Sequence, residues 1–352
     1  MPEPAKLVIV TGSGRSGTST VAGTLKRLGL HIPQPEKPAD EINPRGFYET
    51  VWVNDFHDRI LESVPARTND ARPAVAEQIR AAAAAPEVHD ELRDWLSAQL
   101  AEAGPAGRLA VKDPRTFWVA DLWGEVAAEL GVELAYLTMV RHPAEVVRSR
   151  TVAFHADKTD EFVHTRQTAN LAAWVNAMVE TEAATRSRPR AFVRYADLLT
   201  DWRAAMARAG EQLGISFDAD LGSREPHPVD DFIDVKLQHA KASWDGTDSL
   251  PELLDLAARS WEAANQLVDA PYDEGAIEAL EQVHPAYVRL HHLAEAIAHD
   301  RTTAEVAQAR RKLQKRIEKK DRRIADLQAE VRELHDQQGD QQGSRSKLPW
   351  RR

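Results

Sequence analysis

The sequence predicts an α/β fold with a parallel sheet at its centre. Short apolar stretches with β-favouring residues recur along the chain, a helical pattern follows each one, and glycine or charged residues stand where the stretches end. The strands are expected near 7–10, 109–111, 132–140 and 190–193. Regular alternation of strands and helices is typical of parallel sheets with right-handed helical crossovers.

The first strand leads directly into a glycine-rich loop and then into a helix. Residues 7–19 read LVIVTGSGRSGTS. Glycine lets the loop turn tightly and bring backbone N–H groups against an anion, and the helix start adds unpaired N–H groups and a positive dipole end. Ser16, Thr18 and Ser19 contribute hydroxyl donors. The segment therefore predicts a site for a phosphate group.

Two nucleotide-binding patterns compete for this loop. Gly12 and Gly17 have the spacing of the triphosphate-binding pattern G-x-x-x-x-G-K-[ST], but Thr18 stands where the lysine belongs, and Arg15 is the fixed cation of the loop. The dinucleotide pattern G-x-G-x-x-G is matched by Gly12, Gly14 and Gly17. A loop without the lysine suits a less charged terminal phosphate group, and the loop alone leaves both nucleotide readings open.

Composition limits the possible classes of function. The chain of 352 residues has no cysteine, which excludes disulfides, thiolate metal sites and a cysteine nucleophile. Its 13 histidines form no HExxH or comparable cluster, so we expect no metal site. The net charge of −10 is concentrated in an acidic main body, which argues against general nucleic-acid binding. With neither an apolar run near the roughly 20 residues of a membrane helix nor a leader sequence, we expect a cytoplasmic protein.

A glutamate follows the first loop, in residues 43–49 (NPRGFYE), just before a helical pattern. Proline and glycine beside a single acid are typical of a loop that aims side chains. Glu49 is as consistent with an acid that stabilises a helix N-terminus as it is with a catalytic residue.

Charged residues also end the second and third predicted strands, where α/β sheets place their ligands. Lys112, Asp113 and Arg115 end the second strand. The third strand runs into RHPAEVVRS, in which Arg141 would lie at the strand end and Ser149 about two helical turns further. Both can face one anion, and a surface salt bridge is the alternative for Arg141.

The C-terminal part of the chain carries a heptad repeat from about residue 303. Apolar residues occupy d positions at Val306, Leu313, Leu327 and Leu334 and a positions at Ile317, Ile324 and Val331. This pattern favours a parallel two-stranded coiled coil. We therefore predict a coiled-coil helix over residues 301–336 and a homodimer contact through residues 303–336. The alternative is a single long helix that lies against the body of the protein. Residues 337–352 form a polar and then basic tail that we expect to be disordered.

Four motifs, GSGRSGTS, NPRGFYE, KDPR and RHPAEVVRS, together resemble those of the sulfotransferases that use 3′-phosphoadenosine 5′-phosphosulfate (PAPS), in particular a bacterial branch. The resemblance covers roughly residues 7–200, with weaker similarity as far as Lys241. It implies a three-layer P-loop-type fold with a central parallel sheet over residues 1–300, in which residues 50–105 and 250–300 are helical cover.

The resemblance also implies which residues hold the donor. The 5′-phosphosulfate would bind to Arg15, Ser16, Gly17, Thr18 and Ser19, and the 3′-phosphate to Arg141 and Ser149. Many relatives have a lysine in the loop, where it stabilises the leaving phosphate. Arg15 would take that role here, with a planar guanidinium in place of a compact ammonium.

Members of that family use a histidine or a glutamate as the base. Glu49 is the expected base, and His57, two helical turns further, is the reserve candidate. Lys112 would polarise the donor oxygens, and Arg115 would help to bind donor or acceptor. The implied reaction is in-line transfer of a sulfuryl group to a hydroxyl or amine.

Two other functions stay open, together with the acceptor. One is an ATP-dependent phosphotransferase of a small metabolite, with Asp113 as a Mg²⁺ ligand, and the other is a non-catalytic dimeric scaffold. The acceptor hydroxyl is expected on a carbohydrate, a glycolipid or a small metabolite. The basic C-terminal end favours a lipid-linked or cell-envelope glycan and a peripheral position at the membrane.

Overall fold

The structure is a computed structural model that describes residues 5–41, 43–104, 107–155, 157–233 and 243–345, with side chains described as far as residue 331. Residue contacts divide the chain into two units, residues 1–291 and 292–352. Residues 234–242, where the weaker part of the resemblance ends at Lys241, lie outside the described residues, as do the last seven residues of the chain, 346–352.

Four parallel strands form the central sheet in the order β2-β1-β3-β4. They are β1 (Lys6–Thr11), β2 (Arg108–Lys112), β3 (Glu133–Val140) and β4 (Arg190–Arg194). The predicted parallel α/β architecture is thus confirmed. The chain goes from β1 to β2 on one side and then to β3 on the other, which is the arrangement in which open α/β sheets bind ligands beyond the strand ends.

Helices lie on both faces of this sheet. Their bounds are α1 (Thr18–Arg27), α2 (Val51–Ser63), α3 (Val75–Ala83), α4 (Pro86–Ala103), a 3₁₀ turn (Thr116–Val119), α5 (Ala120–Glu129), α6 (Pro143–Phe154), α7 (Asp160–Thr185), α8 (Tyr195–Thr200), α9 (Trp202–Leu213), α10 (Pro228–Phe232), α11 (Pro251–Asp269) and α12 (Glu274–Arg345).

Alternate residues of β1 face two different layers of the core. Leu7 and Ile9 pack in the layer that contains α2 to α5, whereas Val8 and Val10 pack with α1 and α9. Because helices cover both faces, the strands are buried on both sides, which explains their nearly continuous apolar sequences. A third apolar cluster joins α6, α7 and α11 with the first turns of α12.

Two stretches with helical sequence patterns are each divided into two helices. The alanine-rich stretch at 73–103 is interrupted before Pro86, which occupies the first turn of α4. The segment from Tyr195 to Gly214 breaks at Asp201, whose side chain caps α9 by accepting the N–H of Ala204 at 3.0 Å. Asp201 therefore ends α8 and starts α9.

The heptad region forms the continuous distal part of α12. Its apolar side chains are largely exposed in the single chain, from 42% for Leu327 to 56% for Leu313. The helix extends to Arg345, beyond the end expected near residue 336. None of the described helices has the length and apolar character needed to cross a membrane.

Candidate functional site

The glycine loop, residues 12–17, joins β1 to α1 at the carboxyl edge of the sheet. Both of its end glycines have a left-handed backbone, with φ of 122° at Gly12 and 96° at Gly17. A Cβ on Gly12 would lie 2.6 Å from the carbonyl oxygen of Met139, and a Cβ on Gly17 would lie 2.2 Å from the ring of Tyr195. Glycine is therefore required at both positions by close approach as well as by φ.

Several hydrogen-bond donors of this loop have no acceptor. Ser16 is buried, and its Oγ has no hydrogen-bond partner. The backbone N–H groups of residues 17–20 find no acceptor in the described part of the chain, and no side chain caps α1. Free N–H groups at a helix N-terminus form an anion site, so the loop fits a phosphate group or a phosphosulfate.

The two predicted donor-binding groups contact each other. Nε of Arg15 donates to Oγ of Ser149 at 3.2 Å, and Nη1 of Arg141 donates to the carbonyl oxygen of Arg15 at 3.1 Å. Arg141 lies directly after β3, and its Nε also donates to Glu145 at 2.8 Å, one turn along α6. Burial, followed by repulsion from Arg141, lowers the pKa of Arg15. The loop and the start of α6 thus form one continuous polar surface.

Tyr195 completes this surface and was not identified from the sequence. It begins α8 at the carboxyl end of β4, where its ring packs against Gly17 and lies 4.7 Å from the guanidinium carbon of Arg141. Burial raises the pKa of Tyr195, although Arg141 opposes the shift, so the phenol stays neutral. Its position after a strand is the available sequence signal, the same one that pointed to Arg141.

Glu49 and Lys112 form a buried ion pair beside the loop. Nζ of Lys112 donates to Glu49, and only 3% of Lys112 and 7% of Glu49 are exposed. The same Nζ lies 3.3 Å from Oγ of Ser19, which also accepts from Asn43 at 3.1 Å. Tyr48, next to Glu49, has a positive φ of 55°, a strained conformation typical of functional sites. The Ser19 hydroxyl therefore connects the ion pair to the start of α1.

Asp113 belongs to a different, fully paired cluster. It accepts Nε of Arg115 at 2.9 Å and Nδ2 of Asn54 at 3.3 Å, and its Oδ2 lies 3.0 Å from Nδ1 of His57. Burial alone would raise the pKa of Asp113, but His57 and Arg115 together lower it, so the carboxylate stays ionised. Its oxygen atoms are occupied, which removes Asp113 as the Mg²⁺ ligand of a phosphotransferase.

His57 and Arg115 are structural residues of this cluster, contrary to the roles considered for them. Nε1 of Trp123 donates to Nε2 of His57 at 3.1 Å, which leaves the proton on Nδ1, facing Asp113. His57 is fully buried with both nitrogen atoms engaged, so it cannot take a proton from a substrate. Arg115 is buried and paired with Asp113 and Asp58, so it is not free to bind a donor or acceptor.

Arg150, the residue after Ser149, is a second side chain that the sequence did not single out. It is only 3% exposed, and its Nη2 donates to Oγ of Ser13 at 3.0 Å, to the carbonyl oxygen of Gly14 at 3.1 Å and to Oδ1 of Asn69 at 2.5 Å. Its Nε and Nη1 have no hydrogen-bond partner. Arg150 thus connects the tip of the glycine loop to the segment between α2 and α3.

The described residues contain no group of three or more histidine, aspartate or glutamate side chains placed to hold a metal ion. Apart from the Glu49 and Glu145 carboxylates, which are paired with Lys112 and Arg141, the polar groups at the loop are donors and cations: hydroxyls, backbone N–H groups, guanidinium groups and the Lys112 ammonium. Such a set suits anionic ligands.

Among the solved structures that are similar to this chain, three are sulfotransferases or sulfotransferase domains. The sulfotransferase domain of the olefin synthase from Synechococcus PCC 7002 is 20% identical, with a TM-score of 0.41, and the match covers 73% of this chain and 95% of that one. Sulfotransferase STF1 from Mycobacterium tuberculosis H37Rv is 15% identical, with a TM-score of 0.39 and coverage of 73% and 77%. The sulfotransferase domain from the curacin biosynthetic pathway is 15% identical, with a TM-score of 0.39 and coverage of 76% and 98%.

Sequence comparison assigns the family. No curated protein matches the chain. The family model described as "Sulfotransferase family" matches residues 8–219, which include the glycine loop, Glu49, Lys112 and the Arg141–Ser149 segment. The match spans more than half of the chain and agrees with the resemblance carried by the four motifs. The chain belongs to the sulfotransferase family.

Proposed function

We propose that this sulfotransferase uses PAPS as its donor and transfers the sulfuryl group to a hydroxyl or amine of an acceptor. The observation that carries the proposal is the contact between the two anion-binding groups. Arg15, which directly precedes the loop donors at 16–19, is hydrogen-bonded to Ser149 at 3.2 Å and to Arg141 at 3.1 Å. One ligand with a phosphate group at each end can contact both.

The free donors of the loop match the 5′ end of PAPS. The Ser16 hydroxyl and the N–H groups of residues 17–20 would hold the 5′-phosphosulfate. Arg141 and Ser149 would hold the 3′-phosphate. When bound, the donor supplies the sulfuryl group and a leaving group, adenosine 3′,5′-bisphosphate.

Glu49 is the proposed base, and its ion pair with Lys112 suits that role. As the acceptor oxygen bonds to sulfur and the bond from sulfur to the bridging oxygen breaks, the Glu49 carboxylate takes the acceptor proton. Neutral Glu49 then attracts Lys112 less strongly. Lys112 and Arg15 can therefore stabilise the charge that develops on the bridging oxygen.

The competing phosphotransferase function has less support. Its pattern needs a lysine at position 18, where the chain has threonine, and an acidic Mg²⁺ ligand. The carboxylate considered for that ligand, Asp113, is occupied by Arg115, His57 and Asn54.

Titration calorimetry can test the identity of the donor by comparing the affinity of the protein for adenosine 3′,5′-bisphosphate with its affinity for ATP. We expect the bisphosphate to bind and ATP to bind at least about tenfold more weakly, because ATP has no 3′-phosphate for Arg141. Equal or tighter binding of ATP would overturn the proposal. Incubation of the protein with labelled PAPS and host extract would then identify the acceptor. We propose that the acceptor is a hydroxyl of a carbohydrate or of a lipid-linked molecule, and that the protein meets it in the cytoplasm or at the membrane surface.

We also propose a homodimer through residues 303–336. The apolar side chains at Val306, Leu313, Ile317, Ile324, Leu327 and Val331 are 42% to 56% exposed in the single chain, which is typical of a coiled-coil seam without its partner. Sedimentation of the full chain should give a dimer, and Ile324→Asp should give a monomer. A monomeric wild-type chain would overturn the proposal.

A further inference from the structure

Arg150 is a buried cation without an adjacent anion. Its three hydrogen bonds go to uncharged acceptors, on Ser13, Gly14 and Asn69. No carboxylate pairs with it anywhere in the described part of the chain. Because a buried charge is unfavourable unless it is paired, this environment indicates that a ligand supplies the missing negative charge.

The unused donors of Arg150 strengthen this point. All three hydrogen bonds use Nη2, while the buried Nε and Nη1 have no partner. Buried polar groups of native proteins are almost always hydrogen-bonded, so orphaned donors on a side chain that is 3% exposed point to a bound acceptor.

Other cations, but no anion, act on Arg150. Burial, followed by repulsion from Arg166 and Arg15, lowers the pKa of Arg150 to about 9. Arg166 lies on α7 and is half-buried, and its side chain makes no hydrogen bond or ion pair within the described residues. Cations from the glycine loop, α6 and α7 therefore act on one another, and an anion between them would convert repulsion into attraction.

The location distinguishes this group from the proposed donor cradle. Arg150 contacts the loop at Ser13 and Gly14, which precede the donor set of residues 15–19, and it contacts Asn69 in the segment between α2 and α3. In the proposed function, the phosphate groups of the donor are held by residues 15–19, Arg141 and Ser149. The remaining substrate is the acceptor.

We infer that Arg150 is the ligand of a second anion site, with Arg166 as a positive charge nearby, and that this site binds an acidic group of the acceptor: a carboxylate, a phosphate ester or a sulfate ester. The inference rests on the proposed function and narrows its substrate class. The acceptor would carry a hydroxyl or amine for Glu49 and a separate negative charge for these arginines.

Inorganic phosphate can serve as the probe of this site in the full-length protein. The protein is first saturated with adenosine 3′,5′-bisphosphate, which fills the donor phosphate sites, and phosphate is then titrated by calorimetry. We expect phosphate binding to weaken about tenfold in Arg166→Gln, because the site loses a nearby positive charge, while bisphosphate affinity changes less than about threefold. Arg259→Gln, which removes a cation of α11 next to Asp255, is the matched control and should leave phosphate binding unchanged.

Arg150→Lys provides a second variant that keeps the charge but removes the Nε and Nη1 donors, and it should also weaken phosphate binding. Two outcomes would overturn the second anion site and leave the proposed function standing. In the first, the bisphosphate binds and phosphate does not. In the second, phosphate binds the wild type and both variants with equal affinity. If phosphate binds the free protein in competition with the bisphosphate, the anion belongs to the donor, and the inference is again overturned. Failure of the bisphosphate to bind at all would overturn both.

Discussion

The ends of β1 and β2 lie side by side in the sheet and carry polar clusters of opposite kinds. After β2, the Asp113 carboxylate is fully occupied by protein donors. After β1, the Ser16 hydroxyl and the N–H groups of residues 17–20 have no partner in the described part of the chain, and neither do two nitrogen atoms of Arg150, which reaches the same loop from α6. Since Asp113, Ser16 and Arg150 are all buried, exposure does not explain the difference. A satisfied cluster stabilises the fold, and an unsatisfied one indicates a ligand.

The largest expected effect is on stability, at the satisfied cluster. Asp113→Ala would leave Arg115 buried beside an empty position, and we expect the free energy of unfolding to fall by about 3–5 kcal/mol. Chemical denaturation measures this loss. Asp255→Ala, which removes an exposed carboxylate on α11, is the control and should change stability by less than about 0.5 kcal/mol. If Asp113→Ala unfolds at the same denaturant concentration as the wild type, the Asp113 cluster does not stabilise the fold, and our distinction between the two clusters is wrong.

The next largest effect concerns turnover. Glu49→Gln removes the proposed base, and we expect turnover of labelled PAPS to fall about a hundredfold while affinity for adenosine 3′,5′-bisphosphate stays nearly constant. Glu91→Gln, at an exposed ion pair with Arg59, is the matched change and should leave turnover unaltered. Unchanged turnover in Glu49→Gln would exclude this residue as the base.

Arg141→Ala should mainly weaken donor binding, by about thirtyfold, because a charged hydrogen bond to phosphate contributes about 2 kcal/mol. The change also leaves Glu145 without its partner, which lowers stability. In the double variant Arg141→Ala/Glu145→Ala we expect stability to recover but bisphosphate affinity to stay low. If affinity recovers as well, Arg141 acts on the fold and not on the ligand.

The smallest effect is the most direct comparison of the two clusters. Ser16→Ala removes an unpaired buried hydroxyl, so stability should stay the same or rise slightly, while bisphosphate binding weakens about fivefold, the equivalent of about 1 kcal/mol. Thr116→Val removes a hydroxyl that donates to the carbonyl oxygen of Asp113 at 2.9 Å, and it should lower stability by a similar amount without affecting binding. If both variants lose stability and bisphosphate affinity to the same extent, our interpretation of the two clusters is contradicted.

The sheet and the glycine loop were predictable because their signals are local. Apolar runs buried on both faces, glycines with a required spacing and charged residues at strand ends all lie within short segments. The same local rule placed Arg141 directly after β3 and Lys112 at the end of β2.

The pairing state of each charge was not predictable. Lys112, Asp113 and Arg115 look alike in sequence as strand-end charges, yet Asp113 and Arg115 neutralise each other while Lys112 contacts Glu49. Arg150 and Tyr195 were missed because their roles depend on contacts with a loop far away in the sequence. Such contacts have no local signature, so single-sequence reasoning identifies candidate ligands and not their partners.

The ring that packs against Gly17 has a consequence for how the protein acquires its activity. Since Tyr195 follows β4, a nascent chain that ends before β4 contains every residue of the glycine loop but lacks one wall of it. Competence to bind the proposed donor would then arise late in synthesis, when the fourth strand joins the sheet. An isolated N-terminal fragment is not expected to work as a minimal binding module.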